Sequence, residues 1–373
     1  MPVYLFQLGH QPLLSQAEIK AVLTEHKQTI VSERVAGEFF LLETKTDLSP
    51  AILIKQLGGT IKIAVQIPDL KPTPKAIAEY LYSHIPEGKI NFSLHNAPFA
   101  LDIKKALKSF DRSVRYIEPK NSATILHNDL VDTDSDLTIF DKQVFATAGL
   151  QDLEGFAERD YDRPKIDSRS GTLPPKLARL MINLTGATPD RALLDPFCGS
   201  GTLLVEAIDL GFTQIIGADL SPKAIEHSKQ NLGWAAKERK ANPEIKLTVA
   251  DVATLSRVVP PHSVHAIATE PYLGKPQTGA STRAELLASA RELRVLYENA
   301  FREFARVLKP GGTVVFVIPE FKIGNDVIAI DCLAEIKKLG FVVQPLLPDH
   351  DSLVYKRANQ HVARRIWKFK IPA

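Results

Sequence analysis

The sequence predicts an α/β protein in which an open parallel sheet, in the C-terminal part of the chain, follows a smaller α+β region. The first observation behind this prediction is a glycine loop between an apolar strand end and a helix, at Leu193–Thr202. The second is the alternation of short strands and helices over residues 1–150. The third is a series of apolar runs that each end in an acidic residue, at Asp195, Asp219, Asp251 and Glu270. Open α/β sheets bind ligands at the carboxyl ends of their strands, so we expect a ligand site at that edge.

The bulk properties exclude several classes of protein. The chain has 373 residues, 45% apolar and 24% charged, which is typical of a globular protein of two or three domains. Its two cysteines, Cys198 and Cys332, are too few for a disulfide scaffold or a Cys-built metal centre, and the ten histidines show no metal-ligand spacing. No apolar run is long enough to span a membrane, and the first residues lack the basic segment of a secretory signal. We therefore expect a cytoplasmic protein with reduced thiols and no metal.

Charge is distributed unevenly along the chain. Residues 1–160 hold 17 Lys/Arg against 21 Asp/Glu, and the remaining residues hold 29 against 22. This segregation permits nucleic-acid binding without requiring it. Near the C-terminus, Arg357 and Arg364 could reach a phosphate, whereas the alternating segment Arg365–Lys370 predicts an edge strand protected by its charges.

Residues 1–70 predict a ferredoxin-like α+β unit with β-α-β-α-β order. Its first helix is expected over Ser15–Thr24, because Ser15 and Glu18 have the spacing of a capping box. The other predicted elements are strands Val3–Leu8, Phe39–Glu43 and Ile61–Ile67 and helix Asp47–Leu57.

Residues 71–150 predict a second small α+β unit. The predicted helices are Pro74–Tyr82 and Asp102–Phe110, and the predicted strands are Asn91–His95, Val114–Ile117, Ala123–Leu126 and Leu137–Phe140. Basic side chains on and after the second helix could form an RNA-binding face, namely Lys104, Lys105, Lys108, Arg112 and Arg115. An ordinary solvated helix face is the alternative explanation.

Residues 151–170 predict an ordered linker, because they are rich in charge and lack periodicity. A helix follows over Gly171–Leu184, with Thr172 as its cap and an apolar stripe that faces the core. Lys275–Arg283 is predicted to be a mobile loop. The later predicted elements are helices Ala284–Leu308 and Val327–Leu339 and strands Thr313–Ile318 and Phe341–Leu346.

The glycine loop differs from a dinucleotide-binding fingerprint. Gly199 and Gly201 allow a sharp turn, but the third glycine of G-x-G-x-x-G is missing. Asp195 opens the loop instead, and a carboxylate suits a ligand with a cationic end better than it suits a pyrophosphate. S-adenosylmethionine has an ammonium, a sulfonium and no phosphate, and therefore fits. An ordinary strand-to-helix turn is the alternative.

Two later strand ends favour the same ligand. Asp219 is placed to accept hydrogen bonds from ribose hydroxyls, and Asp251 to accept one from an adenine amine. Either aspartate alone could instead be a helix N-cap. Acidic residues at neighbouring strand ends on one sheet edge favour a ligand site.

These motifs resemble those of class I S-adenosylmethionine-dependent methyltransferases, with a Rossmann-like sheet, over residues 162–373. The particular resemblance is to the tRNA guanosine-10 N2-methyltransferase family, whose members carry a THUMP domain; the segments Tyr4–Gly9 and Leu14–Ile19 also resemble that family's opening. The resemblance implies a methyltransferase domain over residues 171–373 and a THUMP-like RNA-binding unit over residues 71–150. It also implies cofactor contacts from Asp195, Pro196, Phe197, Gly199, Gly201, Thr202, Asp219, Leu220, Asp251, Val252 and Thr172.

The family pattern for amine targets is Asp or Asn, then Pro-Pro, then an aromatic residue, and this chain departs from it. The aligned residues are Thr269, Glu270, Pro271 and Tyr272, which we predict to be the catalytic set. Glu270 is expected to replace the family's carboxylate, although the Thr269 hydroxyl with backbone carbonyls, or a different acceptor atom, are alternatives. Tyr272 is expected to stack on the target base.

Three functional hypotheses remain open at this point. The first is an RNA methyltransferase that modifies the N2 amine of a guanosine, in tRNA, with a possible activator subunit. The second is a DNA amino-methyltransferase for adenine or cytosine, and the third is a non-catalytic RNA-binding subunit that kept the fold.

Overall fold

The computed structural model describes residues 1–119, 121–166, 173–275, 281–324, 326–356 and 362–373. These residues form two compact units. The first contains Met1–Pro12 and His26–Leu153, and the second contains Leu13–Glu25 and Glu154–Ala373. None of the helices in these ranges combines the length and the apolar character needed to cross a membrane.

The first unit is built on one continuous sheet. Its strands are β1 (Val3–Leu8), β2 (Ile30–Ala36), β3 (Phe39–Thr44), β4 (Thr60–Gln66), β5 (Ile90–His95), β6 (Val114–Tyr116), β7 (Asp136–Phe140) and β8 (Gln143–Leu150). They are arranged in the order β2-β3-β1-β4-β8-β7-β5-β6. The segments predicted as separate units at 1–70 and 71–150 therefore share one sheet, through the antiparallel pair β4 and β8.

The helices of the N-terminal region are α1 (Pro12–Glu25), α2 (Pro50–Gln56), α3 (Pro74–His84), α4 (Ala100–Lys108) and α5 (Ser122–Leu126). Two predictions were wrong here. Helix α1 begins at Pro12 and not after Ser15, because Glu18 does not cap the helix but is buried and accepts a hydrogen bond from Asn183 Nδ2 at 2.8 Å. Ala123–Leu126 forms a helical turn and not a strand, since Asn121 caps it by accepting from the Thr124 backbone.

A buried polar network lies inside the first sheet. Asp136, fully buried, accepts hydrogen bonds from Lys62 Nζ at 3.0 Å, His95 Nε2 at 2.7 Å and Thr147 Oγ1 at 2.5 Å, and another from the Ser93 hydroxyl. Burial would raise the pKa of Asp136, but His95, Lys62 and Ser93 together lower it. The network therefore holds strands β4, β5, β7 and β8 in one register.

The second unit has a mostly parallel sheet. Its strands are β9 (Leu193–Asp195), β10 (Gln214–Asp219), β11 (Glu244–Val249), β12 (Val264–Thr269), β13 (Leu308–Ile323), β14 (Asp326–Ala329), β15 (Val342–Val343), β16 (Ser352–Tyr355) and β17 (Val362–Lys370). The order is β11-β10-β9-β12-β13-β17-β15, with β14 on β13 and β16 on β17. Strands β9 to β13 are parallel and β17 is antiparallel.

Helices cover both faces of this sheet. They are α6 (Leu153–Ala157), α7 (Pro175–Thr185), α8 (Thr202–Asp209), α9 (Pro222–Glu238), α10 (Arg283–Val307) and α11 (Leu333–Lys338). The second unit also contains two short helical turns: a π-type turn over Glu158–Asp162 and a 3₁₀ turn over Val252–Arg257. Leu193 packs in the core beneath α7 and α8, whereas its neighbour Leu194 packs on the opposite face with α10, as strand alternation requires.

The chain reverses its direction across the sheet at β9. It runs from β9 to β10 and β11 on one side and then returns to β12 and β13 on the other, so β9 pairs with both β10 and β12. This is the topological switch point at which open α/β sheets bind ligands.

Two predictions for the C-terminal part were wrong. The helix expected over Val327–Leu339 is a strand, β14, followed by the shorter helix α11, because Val327 and Ile328 pair with the end of β13. The segment Arg365–Lys370 is not at the sheet edge, since β17 lies between β13 on one side and β15 and β16 on the other.

Candidate active site

The glycine loop connects β9 to α8 as predicted, and Gly199 and Gly201 both adopt left-handed backbone conformations, with φ of 53° and 84°. Gly201 is the N-cap residue of α8. A Cβ atom at Gly201 would lie 2.8 Å from Leu232 Cδ1 and 2.9 Å from Ser228 Oγ. Gly201 therefore lets α8 and α9 pack closely and does not line the cavity described next.

A cavity of about 700 Å³ lies at the carboxyl ends of β9, β10 and β12. The predicted site residues that line it are Asp195, Pro196, Phe197, Gly199, Thr202, Asp219, Leu220, Asp251, Val252, Glu270, Pro271 and Tyr272. Thr269 and Gly201 are predicted site residues outside its lining. Thr172 and most of the loop expected over Lys275–Arg283 lie outside the described residues, as does Arg357.

Asp195 is the most strongly perturbed carboxyl group of the cavity. It is only 4% exposed and accepts hydrogen bonds from Thr269 Oγ1 at 2.5 Å and from the Phe197 backbone N–H at 3.1 Å. Burial, helped by the carboxylates of Asp219 and Glu270, raises the pKa of Asp195 to about 7 against the opposing effect of these two hydrogen bonds. A bound cation would favour the ionised form of this group.

Asp219 and Asp251 hold backbone turns as well as facing the cavity. Asp219 Oδ2 accepts from the Gly199 N–H and Oδ1 from the Ser221 N–H, both at 2.9 Å. Asp251 caps the 3₁₀ turn by accepting from the Ala253 N–H at 2.9 Å. An ionised carboxylate has about four lone-pair sites, so each aspartate retains acceptor capacity for a ligand.

The segment after β12 separates the roles of the predicted catalytic residues. Thr269 is fully buried and its hydroxyl donates to Asp195, so it positions that carboxylate and does not reach the cavity. Glu270 lines the cavity and pairs with Arg364: Nε donates to Oε2, and Nη2 donates to Oε1 at 3.2 Å. The Tyr272 side chain is 55% exposed, while its carbonyl accepts from Tyr297 Oη at 2.8 Å.

Sequence reasoning missed the pairing of Arg364, which it placed on a phosphate. The residue lies near the start of β17, and because β17 runs antiparallel to β13, its first residues lie at the edge where the parallel strands end. The pairing raises the pKa of Arg364 against the effect of its burial. The basic residues near the C-terminus were visible in the sequence, but only the antiparallel pairing of β17 with β13 brings Arg364 to Glu270.

Cys198 is buried in the loop beneath the cavity. Burial and the carboxylate of Asp195 raise its pKa well above the usual range of a thiol. A nucleophilic role, for which a thiolate is needed, is not supported. Among the described residues, no cluster of His, Cys, Asp or Glu has the geometry of a metal site.

The donor set fits S-adenosylmethionine. Asp195 presents a buried carboxylate that a ligand ammonium would suit, while Asp219 and Asp251 present acceptors that ribose hydroxyls and an adenine amine would suit. Leu220 and Val252 supply apolar surface beside the two acceptors. Carboxylates predominate over cations around the cavity, which suits a ligand that carries an ammonium and a sulfonium.

The switch-point cavity, the glycine loop and the sheet order define a class I methyltransferase domain with a Rossmann-like sheet, for which S-adenosylmethionine is the cofactor. Residues 163–338 match the family described as UPF0020: RMKL-like, methyltransferase domain. Over these residues the chain is similar to that family.

Curated relatives match about two fifths of the chain. It is 35% identical over 144 residues to a tRNA (guanine(10)-N2)-dimethyltransferase of Pyrococcus abyssi, covering 38% of this chain and 41% of that protein. It is 29% identical over 151 residues to the enzyme of that name from Methanothermobacter thermautotrophicus, covering 40% of each. The chain thus spans about 40% of the length of the curated relatives it matches.

A solved structure matches over almost the whole chain. TrmN from Thermus thermophilus covers 99% of both chains with a TM-score of 0.52 and 16% sequence identity. At this identity the likeness shows the fold alone.

Proposed function

We propose that this chain is an S-adenosylmethionine-dependent RNA methyltransferase that methylates the exocyclic N2 amine of a guanosine, with tRNA as its substrate. The observation that carries the proposal is the Glu270 carboxylate, held by Arg364 inside the cavity and followed two residues later by the exposed ring of Tyr272. The names of the relatives, tRNA (guanine(10)-N2)-dimethyltransferases, support the choice of RNA and of the guanine N2 amine.

The cofactor would be held along the carboxyl ends of β9, β10 and β11. Asp195 would accept from the ammonium, Asp219 from the ribose hydroxyls and Asp251 from the adenine amine. When bound, S-adenosylmethionine supplies an activated methyl group. The contribution of the protein is then to hold the acceptor amine in line with that group and to exclude water.

Glu270 would make the guanine amine a better nucleophile. The lone pair of this amine is delocalised into the ring, and a hydrogen bond from its N–H to a carboxylate favours a pyramidal nitrogen. Arg364 occupies one lone pair on each oxygen of Glu270, which leaves others to accept from the base. The same oxygens give the departing amine proton an acceptor. Because the two side chains are only 12% and 10% exposed, the carboxylate is held in one orientation.

Tyr272 would bind the face of the target base. Its ring is exposed beside Glu270, while its backbone is fixed by the hydrogen bond from Tyr297. Stacking on an aromatic side chain is available to every base, so Tyr272 contributes affinity and Glu270 contributes the choice of amine. A guanosine within a folded RNA would have to leave its stack to reach this cavity.

The first unit would supply RNA affinity as a THUMP-like module. Lys105, Lys108 and Arg115 are exposed on and after α4. Arg112 has a structural role instead, because its guanidinium donates to the backbone carbonyls of residues 85, 86 and 88. We expect a cytoplasmic location, and an activator subunit remains a possible further partner.

The proposal is tested by incubating the protein with isotopically labelled S-adenosylmethionine and either unmodified total tRNA or duplex DNA, followed by nucleoside mass spectrometry. Labelled N2-methylguanosine from tRNA is the expected product. Labelled N6-methyladenine or N4-methylcytosine from DNA would instead support a DNA amino-methyltransferase. Tight cofactor binding without transfer to any RNA would point to a non-catalytic subunit.

A further inference from the structure

One buried hydroxyl stands out in the apolar core that α10 forms with the sheet. Among the described residues, this core contains six buried phenylalanines and one buried tyrosine, Tyr297. The Tyr297 ring is fully buried and meets the ring of Phe316 edge-on, with centroids 5.1 Å apart and an angle of 82° between the planes. A phenylalanine would fill the same space without burying a polar atom, so the hydroxyl calls for an explanation of its own.

The hydroxyl of Tyr297 reaches the segment that follows β12. Its Oη donates to the backbone carbonyl of Tyr272 at 2.8 Å, across 25 residues of sequence. Burial raises the pKa of Tyr297 well above its ordinary value, so the hydroxyl stays protonated and can donate this bond at neutral pH. The bond therefore links α10, a helix of 25 residues, to the backbone of the residue whose ring we expect the target base to stack on.

The Tyr272 ring has few constraints of its own. It is 55% exposed, and within the described ranges it contacts no other aromatic ring and its hydroxyl makes no hydrogen bond. The backbone that carries it is held more firmly. Two residues later, Gly274 has a φ of 93° and passes so close to the core that a Cβ atom there would lie 3.6 Å from both Leu293 Cδ1 and Phe321 Cζ. The position of the ring thus depends on how its backbone is anchored.

We propose that Tyr297 is a positioning residue for the target base: by holding the Tyr272 carbonyl, its hydroxyl keeps the Tyr272 ring where a base can stack on it. This inference rests on the proposed function, which assigns the stacking to Tyr272. The neighbouring residue Leu296 lines the same cavity, so α10 borders the site directly as well as through this hydrogen bond. Tyr297 itself touches neither base nor cofactor in this arrangement.

A double-mutant cycle tests this role through the affinity for RNA. Fluorescence anisotropy with end-labelled unmodified tRNA, at saturating S-adenosylhomocysteine, would compare wild type, Tyr297→Phe, Tyr272→Ala and the double variant. Tyr297→Phe keeps the ring and should weaken tRNA binding about 3- to 10-fold, which is the value of one hydrogen bond. In the Tyr272→Ala background the same change should weaken binding less than about twofold, because no ring remains to be positioned. Unchanged binding by Tyr297→Phe, or an equal loss in both backgrounds, would overturn the inference.

A matched control separates positioning from core packing. Phe301→Leu alters the same aromatic core one turn further along α10, where Phe301 also meets Phe316, but it removes no hydrogen bond. This variant should lower the Tm while its affinity for tRNA stays within about twofold of wild type. Tyr297→Phe should do the reverse, with a Tm close to wild type. A loss of tRNA affinity in Phe301→Leu as large as that in Tyr297→Phe would show that packing alone is responsible, and the inference would fail.

The outcomes also distinguish this inference from the proposed function. Coupling between Tyr297 and Tyr272 in a protein that forms no N2-methylguanosine would support the positioning role and contradict the proposed function. Formation of N2-methylguanosine by wild type, without such coupling, would contradict the positioning role alone. A wild type that binds no tRNA would contradict both.

Discussion

Cofactor affinity is predicted to depend on pH through Asp195. Burial raises the pKa of this group to about 7 in the ligand-free protein, so it is mostly protonated below pH 6. A ligand ammonium binds the ionised carboxylate, and binding must then release a proton. With a pKa of 7, the ionised fraction falls from about three quarters at pH 7.5 to about 3% at pH 5.5, so affinity should fall about 25-fold across this range.

The same shift has a consequence for stability. The pKa of Asp195 in the folded state lies above its ordinary value of 3.8, so between the two values the folded protein binds more protons than the unfolded chain. Its contribution to the free energy of unfolding is therefore greatest at low pH. That contribution declines by up to about 4 kcal/mol as the pH rises from about 4 to about 7.

Isothermal titration calorimetry with S-adenosylhomocysteine, in buffers of different ionisation enthalpy, measures both the affinity and the protons released. Close to one proton should be released per ligand at pH 5.5. Asp195→Asn should bind weakly and without this pH dependence, whereas Asp251→Asn, which changes an exposed carboxylate of the same cavity, should lower affinity while keeping the slope. Affinity of the wild type that stays constant between pH 5.5 and 7.5 would refute this reasoning.

Three further predictions concern Arg364, Tyr272 and the buried network of the first unit. Arg364→Gln should lower kcat about 10- to 100-fold while cofactor affinity stays within about twofold. Adding Glu270→Gln to this variant should lower kcat little further, because the two side chains act as one unit. Additive losses of rate in single-turnover assays would contradict this prediction. Tyr272→Ala should raise the KM for RNA about 10- to 100-fold, the value of one stacked base, with Tyr272→Phe near wild type; an unchanged KM would exclude stacking. Asp136→Asn should lower the free energy of unfolding of the first unit by about 3–5 kcal/mol, because Lys62 loses its buried counterion. Denaturant unfolding measures this loss, and an unchanged stability would show that the network is dispensable.

Much of the second unit could be predicted from local patterns. The glycine loop and the acidic strand ends follow from residues that are close in sequence, and most of the predicted cofactor residues line the cavity. Helix α10 begins at Arg283, one residue before its predicted start, because Thr282 and Glu285 form a capping box. The helix predicted over Val327–Leu339 failed because cross-strand pairing with β13 outweighed an apolar periodicity that also suits a helix.

Long-range pairings were the part that the sequence did not reveal. Glu270 and Arg364 are 94 residues apart, and Asp195 and Thr269 are 74 apart, so neither contact leaves a local signal. Thr269 lies at the end of a buried strand with its hydroxyl on Asp195, a placement that its neighbours in sequence do not reveal.

The central claim is that Glu270 directs methyl transfer to a guanine amine. It is tested most directly by single-turnover transfer from labelled S-adenosylmethionine to unmodified tRNA, with wild type and Glu270→Gln side by side and products resolved as nucleosides by mass spectrometry. The account predicts labelled N2-methylguanosine from the wild type and a rate at least about tenfold lower for the variant at equal cofactor binding. Label in a different nucleoside, or an equal rate for Glu270→Gln, would contradict it.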